Sequence, residues 1–187
     1  MTQKTKLIIV CLFALFLSAC SQSETSKPGT TSSANTAEAS NSSPPIETST
    51  KAPPADVVRV ETPSVEIKAG SSGEASIKLT IASGYHINAN PPSFPYLKAT
   101  ELNVEPTAGI TAGKPVYPSS VTRKFAFSKD PLAVYEGETA IKLPLSAAGN
   151  AQKGAQMLKG KLRVQACDEE ACYPPRTIET SIPVTVK

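Results

Sequence analysis

Two runs of strict alternation limit this fold more than any other feature of the sequence. In Ser64-Val65-Glu66-Ile67-Lys68 and in Ala75-Ser76-Ile77-Lys78-Leu79-Thr80-Ile81, apolar and polar side chains exchange places at every step. A period of two belongs to a strand with one buried face. Wound into a helix, it would scatter the apolar side chains around the whole circumference. Val57-Val58-Arg59-Val60 reads as a further strand, and Tyr96–Val104, Lys124–Phe127, Thr139–Leu145, Lys161–Ala166 and Thr177–Val186 as others. Turn-forming clusters separate them: Ala69–Gly73, Asn90-Pro91-Pro92, Tyr117–Ser120, Glu136-Gly137 and Ala148-Gly149-Asn150. With 17 Pro against 10 Gly, long helices have little room. About eight short strands in residues 56–187 predict one all-β domain, an immunoglobulin-like antiparallel β-sandwich. A chain of that length buries roughly two thirds of its unfolded surface, enough for a core without cross-links.

Upstream of Asp56 the composition changes. Lys4 and Lys6 precede an unbroken apolar run of 11 residues, Leu7 to Leu17. Spanning a bilayer takes about 20 residues, so this run fits the core of an export signal better than a permanent anchor. Leu17-Ser18-Ala19-Cys20 resembles the lipobox of bacterial lipoproteins, which makes residues 1–19 a signal peptide and Cys20 the lipidated amino terminus. The alternative is an ordinary signal cut near Ala19, with Cys20 left as a free thiol in an oxidising compartment. The expected location is the periplasmic side of a bacterial membrane, inner or outer, held by more than one acyl chain. Residues 21–55 hold 9 Ser, 6 Thr, 5 Pro and 5 Ala, with Ile46 the one large aliphatic, so they cannot bury enough surface to offset their ordering entropy. Residues 20–55 therefore read as a disordered linker. It is either a spacer, about 30–35 Å end to end, or a stretch with no length requirement.

A net charge of +3 is too small for electrostatic binding of nucleic acid. One His in the chain excludes multi-histidine metal sites. With Cys11 in the signal and Cys20 lipidated, the domain keeps two thiols, in Val164-Gln165-Ala166-Cys167-Asp168-Glu169-Glu170-Ala171-Cys172-Tyr173-Pro174-Pro175. On one straight strand, residues five apart would lie about 16 Å apart on opposite faces. The tetrapeptide Asp168–Ala171 can instead reverse the chain and bring the two Cys together across a hairpin. Pro174 and Pro175 lack N–H donors, so the return strand is interrupted or lies at an edge, where Cys172 would be the more accessible sulfur.

Three readings of that pair stand. A six-residue loop gives a disulfide only about 2 kcal/mol of loop-closure stabilisation, and a domain of this size does not need it, which favours a redox centre. A structural staple is the second reading. The third is a metal site in which His86 joins the two thiolates, but no fourth ligand is evident. Asp168, Glu169 and Glu170 disfavour thiolate and argue against a strongly oxidising centre, unless Arg163, Arg176 or His86 offsets them.

Gln165-Ala166-Cys167, four residues, then Cys172-Tyr173-Pro174-Pro175 resembles the active-site hairpin of the amino-terminal periplasmic domain of the DsbD thiol:disulfide interchange proteins. Gly84-Tyr85-His86-Ile87 and Leu132-Ala133-Val134-Tyr135-Glu136-Gly137 resemble two further stretches of that family, and the likeness runs from about Val60 to Val186. It implies an immunoglobulin-like fold without a cofactor, and a protein-disulfide oxidoreductase acting as a reductase-side relay. Its catalytic pair would be Cys167 and Cys172, exchanging electrons with thioredoxin-like partners. It also implies that Cys172 forms mixed disulfides with partners and that Cys167 resolves them. An aromatic cap shields the pair in that family; Phe125 or Phe127 stands in the matching region, although both also suit core positions on an alternating strand. His86 and Asn88 fall where the family has aromatic neighbours of the disulfide, with Tyr173 adjoining Cys172. His86 reads either as a polar strand residue or as a thiol-activating base. DsbD continues into a membrane electron carrier and a thioredoxin-like domain, so a separate membrane carrier is the expected donor here. A variant of this reading, a periplasmic assembly factor delivering reductant for cytochrome or metal-centre maturation, differs only in its client. A non-catalytic β-sandwich lipoprotein, a binding or scaffold module with a structural disulfide, is the rival reading.

Overall fold

A computed structural model describes residues 52–187; the proposed signal peptide, Cys20 and the linker as far as residue 51 lie outside the described residues. Of the two alternating runs, Ser64–Lys68 yields only a three-residue edge strand, Val65–Ile67, and Ala75–Ile81 lies within a long inner strand. β3 (Ser72–Ile81) turns Ala75, Ile77, Leu79 and Ile81 inward. It pairs antiparallel with β9 (Glu138–Ala147), whose Ile141, Leu143, Leu145 and Ala147 are likewise buried. β1 (Val58–Glu61) and β6 (Ile110–Ala112) complete this sheet in the order β1-β3-β9-β6.

The second sheet centres on β10 (Gly154–Val164) and β12 (Arg176–Val186), paired antiparallel from Gly154↔Val186 to Val164↔Arg176. β5 (Glu101–Val104) flanks β10, and β2 (Val65–Ile67) flanks β12 in the sandwich's one parallel pairing among the described residues. Leu158, Leu162, Val164, Ile182, Val184 and Val186 join the inward residues of the first sheet in one continuous core. Fully burying each such aliphatic is worth about 1.5–3 kcal/mol, so this layer holds the two sheets together. The expected all-β, immunoglobulin-like sandwich is the fold observed; among the described residues there is no helix.

A third, small sheet lies at one end, ordered β11-β4-β8-β7: β11 (Ala166–Cys167), β4 (His86–Asn88), β8 (Leu132–Tyr135) and β7 (Val121–Arg123). The long strands feed it. β10 breaks at Gln165 and resumes as β11, and β8 passes into β9 through Glu136-Gly137, where Gly137 takes a φ of 62° that few other residues tolerate.

Several expected elements differ. Tyr96–Val104 forms strand only from Glu101, because side chains claim the earlier backbone: Asn88 Nδ2 donates to the Lys98 carbonyl and the Lys98 N–H donates to Gln165 Oε1. Lys124–Phe127 is a turn after β7; Lys124 Nζ bonds the Ser128 and Lys129 carbonyls, and the Ser128 N–H bonds the Phe125 carbonyl. Phe125 and Phe127 therefore occupy a loop and not an alternating strand. β10 begins at Gly154, seven residues before the expected Lys161, because Gly154, Ala155 and Gln156 carry no apolar alternation.

Candidate functional site

The hairpin after β11 is built by hydrogen bonds that involve no sulfur. Asp168 Oδ1 accepts from the N–H groups of Glu170 and Ala171, both at 2.9 Å, the local turn for which Asp is suited. The Asp168 N–H donates to the Ala171 carbonyl, and the Tyr173 N–H to the Ala166 carbonyl at 2.8 Å. Tyr173 closes the loop from the far side, its hydroxyl donating to Asp168 Oδ2 at 2.5 Å. Cys167 and Cys172 stand opposite each other as an antiparallel bridge and are joined as a disulfide. The chain then leaves the ladder over Tyr173-Pro174-Pro175 and re-enters as β12.

β11 is the edge strand of its sheet, yet edge position has not left either sulfur open. Cys167 is 0% and Cys172 1% exposed, so the expected difference in access between them is absent. His86 is the cross-strand partner of Cys167. Cys172, Cys167 and His86 therefore form one row across three backbone segments, with side chains on a common face. Phe125 lies over the His86 end of this row, its ring stacked on the imidazole with centroids 4.0 Å apart and planes 14° off parallel. Phe127 stacks in turn on Phe125 at 5.3 Å and is only half-buried. Leu97, Leu132 and Val134 seat Phe125 from below. The Tyr85 and Tyr173 rings flank the hairpin with centroids 6.3 Å apart.

Sequence reasoning named Asn88 and quoted Gln165 but did not find what they do. Gln165, at the break between β10 and β11, accepts from Asn88 Nδ2 at 3.0 Å and from the Lys98 N–H, and donates to the Tyr173 carbonyl at 3.1 Å. The Asn88 carbonyl accepts from Thr100 Oγ1 at 2.6 Å. This buried network ties β4, the 98–100 segment and the residue after Cys172 into one block. Its one sequence signal is a Gln in an otherwise apolar strand end.

The electrostatics differ from the expectation of three acids pressed on the pair. Glu169 and Glu170 point to solvent. Burial works to raise the Asp168 pKa, but the Tyr173 hydroxyl and the Ala171 and Glu170 N–H groups outweigh it, and the carboxyl titrates below its ordinary range. The same bond pushes the Tyr173 phenol up to about 12. Arg163 is committed to Glu101 at 2.5 Å, and Arg176 donates to the Ala55 carbonyl. Arg123, which the sequence did not single out, lies near enough to act on His86 and is itself paired with Glu136 at 3.4 Å. Among the described residues no three His, Cys, Asp or Glu side chains converge as metal ligands.

Burial lowers the His86 pKa to about 4, the Asp168 charge opposing and the Arg123 charge assisting. An unfolded chain takes up this proton near about 6.5, so the unfolded state gains it first. The resulting stability is full above the unfolded value and is lost as pH falls through the window toward about 4. The loss is at most about 1.4 kcal/mol per pH unit. Thermal unfolding followed from neutral to acid pH should therefore show a steeper fall for the natural chain than for His86→Phe. Superimposable profiles would remove His86 from the acid sensitivity.

Fold and site together define a class: an immunoglobulin-like domain with a buried short-loop cystine beside a stacked His–Phe pair. Over residues 54–183 the sequence matches the family described as thiol:disulfide interchange protein DsbD, N-terminal, and the chain belongs to that family. It is thus a thiol–disulfide interchange domain. Among solved structures, the reduced DsbD N-terminal domain of Neisseria meningitidis is 21% identical, with 71% of this chain and 90% of that chain covered and a TM-score of 0.47. The N-terminal periplasmic domain of ScsB from Proteus mirabilis is 15% identical, with a TM-score of 0.50 over 72% of this chain. The match spans 49% of that ScsB chain, about half its length, and at this identity it speaks for the fold alone. No curated protein matches the sequence.

Proposed function

We propose that this chain is an exported, membrane-anchored relay whose Cys167–Cys172 pair passes electrons between thioredoxin-like proteins and disulfide-bearing clients on the periplasmic side. The observation that carries the reading is a buried hairpin disulfide, in a domain of the DsbD N-terminal family, whose strand neighbour His86 is stacked under a loop aromatic. A short cross-turn bond contributes little to folding, and shielding matters for a bond that must react with chosen partners only. Phe125 is the proposed cap; Phe127 supports it from outside, and Tyr173 locks the loop. A separate membrane carrier would supply electrons, and Cys20 would hold the domain at the membrane by lipid.

The rival reading, a scaffold with a structural cystine, draws on one observation: both sulfurs are as buried as those of an inert staple. Equilibration in graded thiol buffers, read by mass, separates the two. The relay should reduce at a potential milder than about −300 mV, and a pair still oxidised below that value would overturn the proposal. For the anchor, Cys20→Ser should release the protein from membranes or leave it unprocessed. A processed Cys20→Ser variant that still fractionates with lipid would refute lipidation at Cys20.

A further inference from the structure

His86 carries a feature that the relay, as described, leaves unused. The side chain is 3% exposed, and its Nε2 is wholly buried with no hydrogen-bond partner. A buried polar atom left unpaired costs about 1–3 kcal/mol, so it calls for a physical reason. Its position supplies one. His86 is the cross-strand neighbour of Cys167, and directly opposed residues hold their Cβ atoms about 4.5–5.5 Å apart. With the pair oxidised there is no thiol hydrogen for a ring nitrogen to accept. On reduction, Cys167 gains an S–H in the same row.

We propose that His86 is the proton acceptor for the Cys167 thiol in the step that resolves a mixed disulfide, and that Phe125 keeps it idle until a partner lifts the cap. This rests on the relay reading of the pair. The reduced domain begins with Cys172, its thiol proton given up to solvent, attacking a client disulfide; this yields a Cys172–client mixed disulfide and one client thiolate, which takes up a proton from solvent. His86 then takes the proton from Cys167, and the Cys167 sulfur attacks Cys172 Sγ. The internal S–S bond forms, and the client sulfur leaves with the electron pair of the broken bond. The proton on His86 passes to that leaving thiolate. The pair loses two electrons and the client gains two, so no further oxidant is required.

The surroundings fit a base that works only when uncovered. The charged groups facing the ring are the Asp168 carboxylate from the hairpin and Arg123 from β7, the latter paired with Glu136. Stacked under Phe125, the imidazole is held far below its ordinary pKa by burial. Moving Phe125 aside rehydrates the ring and restores its basicity toward the usual histidine range.

The test uses the full chain, reduced and then mixed with dithiobis-nitrobenzoate, an aromatic disulfide that stands in for the client. Two coloured thiolates are released: the first by attack on the reagent, the second when the remaining cysteine resolves the adduct. In the natural chain the second release should show an inflection from the imidazole. His86→Phe keeps a stacking ring but removes the acceptor. It should lower the ratio of second to first release by about tenfold or more at neutral pH, with recovery only as pH approaches the thiol's own range. An unchanged ratio and pH profile overturn the proposal. If His86→Phe does not fold, Phe125→Ala carries the test with His86 intact: the inflection should move upward, and an unmoved inflection overturns the proposal equally. Failure of the natural chain to be reduced at all would instead defeat the relay reading.

Discussion

Cys167→Ser is expected to accumulate a covalent adduct with a thioredoxin-like protein, visible as a shifted band on a non-reducing gel, while Cys172→Ser is not. Thiol–disulfide exchange runs through a mixed disulfide, and removing the resolving thiol leaves that intermediate without an exit. The effect is close to all-or-none, from an undetectable adduct to a major fraction of the variant. Burial gives no help in assigning the roles, because the two sulfurs are equally enclosed. The proposed assignment rests on the resemblance of Cys172-Tyr173-Pro174-Pro175 to the active-site hairpin of the family. An adduct formed only by Cys172→Ser would exchange the two roles and leave the function standing. No adduct from either variant would remove the relay's main support.

The second large effect concerns cover. Phe125→Ala should speed reduction of the cystine by a small thiol, such as glutathione, by about 10²-fold. Phe125 is 3% exposed and stacks on Phe127 and on His86, the cross-strand neighbour of Cys167, which makes its ring the proposed cover of the disulfide. Truncating a buried Phe costs about 3–5 kcal/mol, and each 1.4 kcal/mol is a factor of ten in the population of an open state. Part of that cost falls on the fold and not on the cap, hence an expectation below the full amount. Phe127→Ala, on the half-buried outer ring, should change the rate far less. Equal reduction rates for the natural chain and Phe125→Ala would show that access is controlled elsewhere.

What the sequence made legible was whatever depends on neighbours in the chain. Alternation in Ala75–Ile81 located β3, since period-two burial is a local signal, and Thr139–Leu145, bounded by turn-forming residues, located β9. The hairpin cystine was readable for the same reason: reversal within four residues is a local geometric demand. β7 was not readable, because Val121, Thr122 and Arg123 are all exposed and carry no burial pattern. Nor was the Gln165–Asn88 bond, whose partners lie 77 positions apart and meet only because two sheets hand their strands to a third. The mistaken access argument has a similar origin. Pro174 and Pro175 do mark a break in pairing, but both sulfurs are buried all the same, beside a strand partner, His86, that lies far off in sequence.

The hairpin's independence of its sulfurs has a kinetic consequence. The Asp168–Ala171 turn, the Tyr173–Asp168 bond and the Tyr173–Ala166 bond involve no sulfur atom, so cutting the S–S bond removes none of them directly. Two thiols held opposite each other by such a frame see one another at a high effective molarity, because the translational and rotational cost of meeting was met when the domain folded. Ring closure then needs only a short swing of the sulfurs and no search by the backbone. A client attached to Cys172 would face an internal competitor that is always in place, and its residence on the domain would be set by chemistry at the sulfurs and not by diffusion of the chain.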